Sequence, residues 1–270
     1  NLNFNSKFDA QNNNTNQNKS RFINNLDYST NEAYNNDIGV SYKFLTRINN
    51  VNYYSDYGAP KENLNNEINP ILGFDTALPF AKISKESEQY LIPRILTRYS
   101  PGNMIKSSTN TTMLTTDNLF SLNRMNSDEL IEKDLTFNLG FDWFWQEKFI
   151  PSKELGLNNK QPAKAGISIG QVIKFNTDSN MPTTSSLQNK TSDLVTKINY
   201  TVPKNFDVTL KNEIDGKSNI NYSDLNVKKY NEETPNALPT AGGVIALLDS
   251  QSNNPDRKST RLNSSHANIS

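Results

Sequence analysis

Between Leu135 and Trp145, large apolar side chains fall on every second position: Leu135, Phe137, Leu139, Phe141, Trp143 and Trp145 alternate with Thr136, Asn138, Gly140, Asp142 and Phe144. A period of two predicts a β-strand with those six groups on one face. Two further stretches repeat the device. Ile38, Val40, Tyr42 and Phe44 alternate with Gly39, Ser41 and Lys43, and Leu194, Thr196, Ile198, Tyr200 and Val202 alternate with Val195, Lys197, Asn199 and Thr201. The last runs into Pro203-Lys-Asn205 and then Phe206, Val208 and Leu210, which predicts a hairpin closed by a tight turn. By contrast, Asn176 to Thr191 and Asp215 to Asp224 are polar and turn-rich, and are expected to form long loops. The Asn-dense opening, Asn1 to Ser20, is expected to be an exposed or disordered loop, because it is poor in the apolar positions a packed core requires. Pro239 to Leu248 is a short apolar run with Gly242 and Gly243, read as a buried loop or broken strand.

Composition narrows what these strands can be. Only 34% of residues are hydrophobic, mean hydropathy is −0.72, and no apolar run approaches the roughly 20 residues that a membrane-spanning helix needs. A transmembrane barrel escapes that test, since only alternate residues of each strand face lipid. The eleven residues from Leu135 to Trp145, tilted by about 45°, would rise roughly 25 Å, the height of the apolar band on such barrels. Trp143 and Trp145 lie at one end of that strand, where indoles suit the boundary between hydrocarbon and headgroups. The expected fold is therefore all-β: an antiparallel up-and-down transmembrane β-barrel, present only as an incomplete arc. An amphipathic strand of a soluble sandwich is the alternative reading of the same pattern.

The chain starts at Asn1 without an initiator Met, and is read as beginning inside a longer protein. Residues 256–270, from Asp256-Arg-Lys-Ser-Thr-Arg-Leu-Asn-Ser-Ser-His266 onward, resemble a translated sequencing adapter, leaving residues 1–255 as the barrel piece. Setting aside Arg257, Lys258, Arg261 and Asp256 from 28 basic and 28 acidic residues leaves a net charge of about −2. That is no footprint for nucleic acid. The single His, His266, goes too, and there is no Cys, so His-based triads, thiol nucleophiles and thiolate or imidazole zinc sites are excluded. The chain is expected not to be an enzyme, and no cofactor is called for.

Leu91-Ile-Pro-Arg-Ile-Leu-Thr-Arg-Tyr-Ser-Pro101 is followed by Asp117-Asn-Leu-Phe-Ser-Leu-Asn-Arg124, by Ser127-Asp-Glu-Leu-Ile-Glu132, and by the strand at Leu135. Ile167-Ser-Ile-Gly-Gln-Val-Ile-Lys-Phe175 comes next, then Ser192-Asp-Leu-Val195. In this order the motifs resemble the C-terminal barrel of the lipopolysaccharide-assembly protein family LptD (OstA/Imp), over roughly residues 90–214. The resemblance implies a Gram-negative outer-membrane translocon that inserts lipopolysaccharide into the outer leaflet. It also implies partners: an LptE-like plug lipoprotein, periplasmic Lpt bridge proteins acting through an N-terminal jelly-roll domain, and outer-membrane lipids. The residues that carry the match are Pro93, Arg94, Arg98, Tyr99, Pro101, Asn118, Leu119, Phe120, Arg124, Gly170 and Gln171.

Several of these have two readings. Arg94, Arg98 and Arg124 either offer guanidinium groups to phosphates of a passing glycolipid, or pair with lumen carboxylates and hold a loop. Asp128, Glu129, Glu132 and Asp134 either take divalent cations or form a solvated loop. Pro93 and Pro101 are expected to mark the two ends of a strand. Two other function classes stay open beside lipopolysaccharide transport: another outer-membrane barrel, such as a porin or TonB-dependent receptor, and a soluble β-rich surface binding protein.

Overall fold

The computed structural model describes residues 1–13, 17–55, 65–102, 112–125, 130–148, 162–203 and 205–230. Pro239 to Leu248 and residues 256–270 lie outside them. The fold is one antiparallel sheet in which each strand lies beside the next in sequence. Its strands are β1 (Leu2–Asn13), β2 (Gln17–Ser29), β3 (Ala33–Asn35), β4 (Val40–Ser55), β5 (Asn65–Ala77), β6 (Phe80–Ile83), β7 (Ser87–Ser100), β8 (Asp134–Glu147), β9 (Lys164–Lys174), β10 (Leu194–Val202), β11 (Phe206–Ile214) and β12 (Ile220–Lys229). β3 pairs with β4 and β6 with β7, so each short strand continues the one before it after a break at 30–32 or 78–79. The order is that of an up-and-down sheet, and within the described residues β1 and β12 form its two open edges.

The opening corrects the expected loop: Leu2–Asn13 and Gln17–Ser29 are paired strands in continuous register from Leu2↔Tyr28 to Asn13↔Gln17. Sheet pairing uses backbone groups, which Asn supplies as well as any residue. Asn side chains then bond to one another across strands. Asn49 donates to Asn25 Oδ1 at 2.8 Å and accepts from Asn69 at 3.3 Å on one face, while Ser6, Asn24, Asn50 and Asn66 form a second chain of hydrogen bonds on the other.

Pro93 is a second correction. It lies inside β7, opposite Phe141, and not at a strand end. Its carbonyl accepts from Leu78 N at 3.0 Å, so its missing N–H faces the break between β5 and β6, where no ladder bond is lost. Pro101 does follow the last residue of β7. The strand expected from Ile38 starts at Val40, because Gly39 turns the chain with φ +70°. The β10–β11 hairpin forms with Asn205 N bonded to Val202 O, closing the turn at Pro203. The expected loop Asp215 to Asp224 is instead a tight turn at 215–219 followed by β12. The segment from Asn176 to Thr191 is a loop, but it folds over the sheet and buries Met181 and Leu187.

Register fixes the two faces. Leu135, Phe137, Leu139, Phe141 and Trp143 stand opposite Tyr99, Thr97, Ile95, Pro93 and Leu91, and the row continues into Ile167, Ile169 and Ile173 of β9 and Ile198 and Tyr200 of β10. Toward the other edge it runs through Leu72, Phe74, Phe44, Ile48, Leu26, Leu2 and Phe4. Apart from the Ser6, Asn24, Asn50 and Asn66 row, this outer face is mainly apolar and uncovered: Leu72 is 52% exposed, Phe44 54%, Phe4 64% and Ile95 45%. The opposite, inner face carries Asp27, Arg47, Asp75, Arg94, Arg98, Asn138, Lys197 and Lys211, and it is where the core lies. No helix among the described residues is long and apolar enough to cross a membrane.

Candidate functional site on the inner face

The segment between β7 and β8 folds back onto the inner face. Within it a turn over 116–120 is held by Asn118, whose Oδ1 accepts from Thr115 N at 2.8 Å and whose Nδ2 donates to Met113 O at 2.9 Å. Three strand glycines make room for this turn. A Cβ on Gly170 would overlap Leu119 Cδ2, one on Gly140 would lie 3.1 Å from Phe120 Cζ, and one on Gly73 would lie 2.6 Å from Leu122 Cδ2. Leu119 therefore reaches the backbone of β9 and joins Leu114, Met125, Val172, Met181, Leu187 and Val195 in one buried cluster. Each such side chain contributes about 1.5–3 kcal/mol on burial, enough to keep the turn docked.

The root of the segment is polar and sealed. Arg124, 2% exposed, donates to both Glu132 Oε2 and Asn138 Oδ1, the former through Nε at 2.8 Å and the latter through Nη1 at 2.6 Å. Arg98, fully buried, donates to the carbonyls of Leu122 and Glu132, each at 2.6 Å. Lys174 Nζ stands 4.0 Å from Glu132 Oε1 and donates to Leu187 O. Burial raises the Glu132 pKa, but Arg124, Arg98 and Lys174 outweigh it and hold the carboxyl below its ordinary value. Asn138 completes the set by donating to Leu119 O at 2.7 Å. Beside it, Lys133 donates to Asn69 Oδ1 at 2.6 Å, which ties the segment to the inner row of asparagines.

The structure thus places Arg94, Arg98 and Arg124 on internal partners. Arg94 grips Asp75 with two bonds of 2.8 and 2.6 Å, and its guanidinium lies 4.3 Å from the centre of the Phe120 ring. Glu132 pairs with Arg124 and Lys174, and Asp134 begins β8 with φ 76°, where the chain turns out of the segment. Asp128 and Glu129 lie outside the described residues, among which no three carboxylates gather as a metal site. Gly170 seats Leu119, and its neighbour Gln171 faces the other way and donates to Ser192 O at 2.7 Å. Tyr99 is on the outer face, opposite Leu135.

Sequence reasoning missed Asp117, Lys197 and Lys211. Asp117, at the tip of the turn, accepts from Lys197 at 2.8 Å through one oxygen and from Lys211 at 2.7 Å through the other. Hydrogen bonds from Lys197 and then Lys211 hold its carboxyl below the ordinary range. The alternation placing Lys197 and Lys211 on the polar faces of their strands was visible, but nothing local links them to a residue 80 or more positions earlier. Between the turn and the sheet lies a cavity of about 190 Å³, lined by Arg94, Asp117, Phe120, Asp142 and Ser168 among others.

No protein-family model matches the chain, and no curated protein matches it.

Proposed function

We propose that the chain is part of the wall of an outer-membrane β-barrel of the lipopolysaccharide-assembly (LptD) family, a translocon that delivers lipopolysaccharide to the outer leaflet without covalent chemistry. The observation that carries this reading is the division of one antiparallel sheet into an uncovered apolar face and a polar face filled by the chain's own turn. Exposed apolar surface spread over ten adjacent strands is unfavourable in water, and hydrocarbon is the solvent that suits it. The order of motifs from residue 90 to 214 points to the family. In this reading Leu135, Phe137, Leu139, Phe141, Trp143 and Trp145 face lipid, the partners are lipopolysaccharide, an LptE-like plug and the periplasmic bridge, and the location is the cell outer membrane.

These 270 residues contain no Cys, so a cysteine introduced among them is labelled cleanly once any Cys elsewhere in the complete gene product is replaced by Ser. In the complete gene product, placed in outer-membrane vesicles, a fluorophore at Leu139→Cys or Phe141→Cys should be quenched by a lipid-phase quencher, and one at Asp142→Cys should not. A photo-crosslinker at Lys43 on the inner face should capture lipopolysaccharide. Absence of alternation in quenching would favour a soluble sheet; alternation without capture would favour a porin or receptor.

A further inference from the structure

We infer that Lys197 and Lys211 form a binding site for a phosphate-type dianion, which the carboxylate of Asp117 occupies in the structure as a displaceable stand-in. The two lysines are directly opposed on β10 and β11, on the inner face. Like charges in that position repel and weaken a sheet, so the pair does not serve strand pairing. It requires an anion. Asp117 supplies one negative charge against two positive ones, dividing its oxygens between the two ammonium groups. A phosphate monoester, with a charge of about −1.5 to −2 and three acceptor oxygens, matches the pair better than a carboxylate does.

The stand-in can leave. Asp117 is 51% exposed and the lysines 31% and 32%, and ion pairs this open to water hold weakly. The sealed root at Arg124 and Glu132 and the buried Leu119 keep the turn attached while the Asp117 side chain moves. The neighbouring cavity, with room for about six waters, lies on the far side of Asp117 from the lysines, between Arg94 and Asp142, and gives the displaced carboxylate space. Ser168 stands opposite Lys197 and donates to Asp142 at 2.5 Å, and Asp224 stands opposite Lys211, so Asp142 and Asp224 are further carboxylates on this part of the inner face. Displacing Asp117 would therefore free the lysine pair on the inner wall while the buried Leu119 keeps the turn docked, so that an anionic headgroup takes the place of the carboxylate. The site rests on the transport reading only for what carries the phosphate.

The test uses the complete gene product in vesicles with one cysteine, Ser168→Cys, behind the turn tip, and reads its rate of modification by a water-soluble maleimide. Inorganic phosphate should accelerate labelling over chloride at equal ionic strength. Asp117→Asn should accelerate it about 2- to 30-fold without phosphate, as expected for loss of two exposed ion pairs, and should tighten phosphate binding by removing the competitor. Lys197→Gln with Lys211→Gln should abolish the phosphate response. Labelling indifferent to phosphate and to Asp117→Asn, in protein that keeps its folded electrophoretic mobility, would overturn the site whatever the quenching experiment shows. If inorganic phosphate acts and a vesicle of bisphosphorylated glycolipid does not, the anion site stands and the lipopolysaccharide reading falls.

Discussion

Leu119 lies directly over the Cα of Gly170, so closely that a Cβ there would also come within 2.8 Å of the Leu139 carbonyl oxygen. The first prediction follows from that contact. Gly170→Ala must move either a strand backbone or a side chain of the buried cluster, and overpacking of this kind costs about 1–3 kcal/mol. Thermal unfolding, followed by electrophoretic mobility of the complete gene product, should shift down. Gly170→Ala combined with Leu119→Ala should be less destabilised than the two single losses added together, because the clash with Leu119 vanishes with the leucine and only that with the Leu139 carbonyl remains.

Glu132 is the carboxylate that three buried cations share, whereas Arg124 also bonds Asn138 and Thr136. Glu132→Gln leaves Arg124, Arg98 and Lys174 buried around a neutral amide, whereas Arg124→Met leaves the carboxylate with Lys174 and Arg98 nearby. Breaking a buried pair by removing one partner costs about 3–5 kcal/mol. Glu132→Gln is expected at the upper end and Arg124→Met at the lower. Denaturant midpoints that rank the two variants in the opposite order would mean that Asn138, not Glu132, is the main partner of Arg124.

The same carboxyl sets an acid limit. Its folded-state pKa is depressed below the ordinary 4.5, so its contribution is complete above pH 4.5 and drains away as the pH falls from there through the folded value. Acid unfolding of the wild type should therefore be progressive below about pH 4.5, and Glu132→Gln, already destabilised, should lose little more over that range. Equal slopes for the two proteins on acid titration would assign the transition to other carboxylates.

Asn49 is fully buried between Asn25 and Asn69, and Asn69 also accepts from Lys133. Asn49→Leu removes both links and puts an apolar group into a polar row. The expected cost is about 1–3 kcal/mol, measured by thermal unfolding. Asn50→Leu, on the outer face beside Ile68, should cost clearly less.

These contrasts show which parts of the molecule were legible in the sequence. The period-two stretches at 135–145 and 194–202, and the hairpin at Pro203, could be read because each depends on neighbours along the chain. The first twenty residues were misread because Asn composition was weighed above backbone pairing, although Leu2, Phe4 and Phe8 alternate with polar residues. Pro93 was misplaced because its tolerance depends on a break at 78–79, in another strand. The motifs at 117–124 and 170–171 drew notice separately. That one is a turn and the other its seat is a relation across some fifty positions, and no local pattern encodes it.

The two open edges set the last prediction. Among the described residues, no strand pairs with the outer side of β1 or of β12. In hydrocarbon every unsatisfied group costs several kcal/mol, and the ion pairs and the asparagine row of the inner face offer no compensation at a sheet edge. Residues 1–255 expressed alone should therefore aggregate or remain outside the bilayer, despite an outer face suited to lipid. A monodisperse, heat-modifiable species of this piece in detergent would show instead that the edges find partners, either each other or a second copy. Single-cysteine crosslinking between β1 and β12, at equal protein concentration in mixed and unmixed samples, would separate those two outcomes.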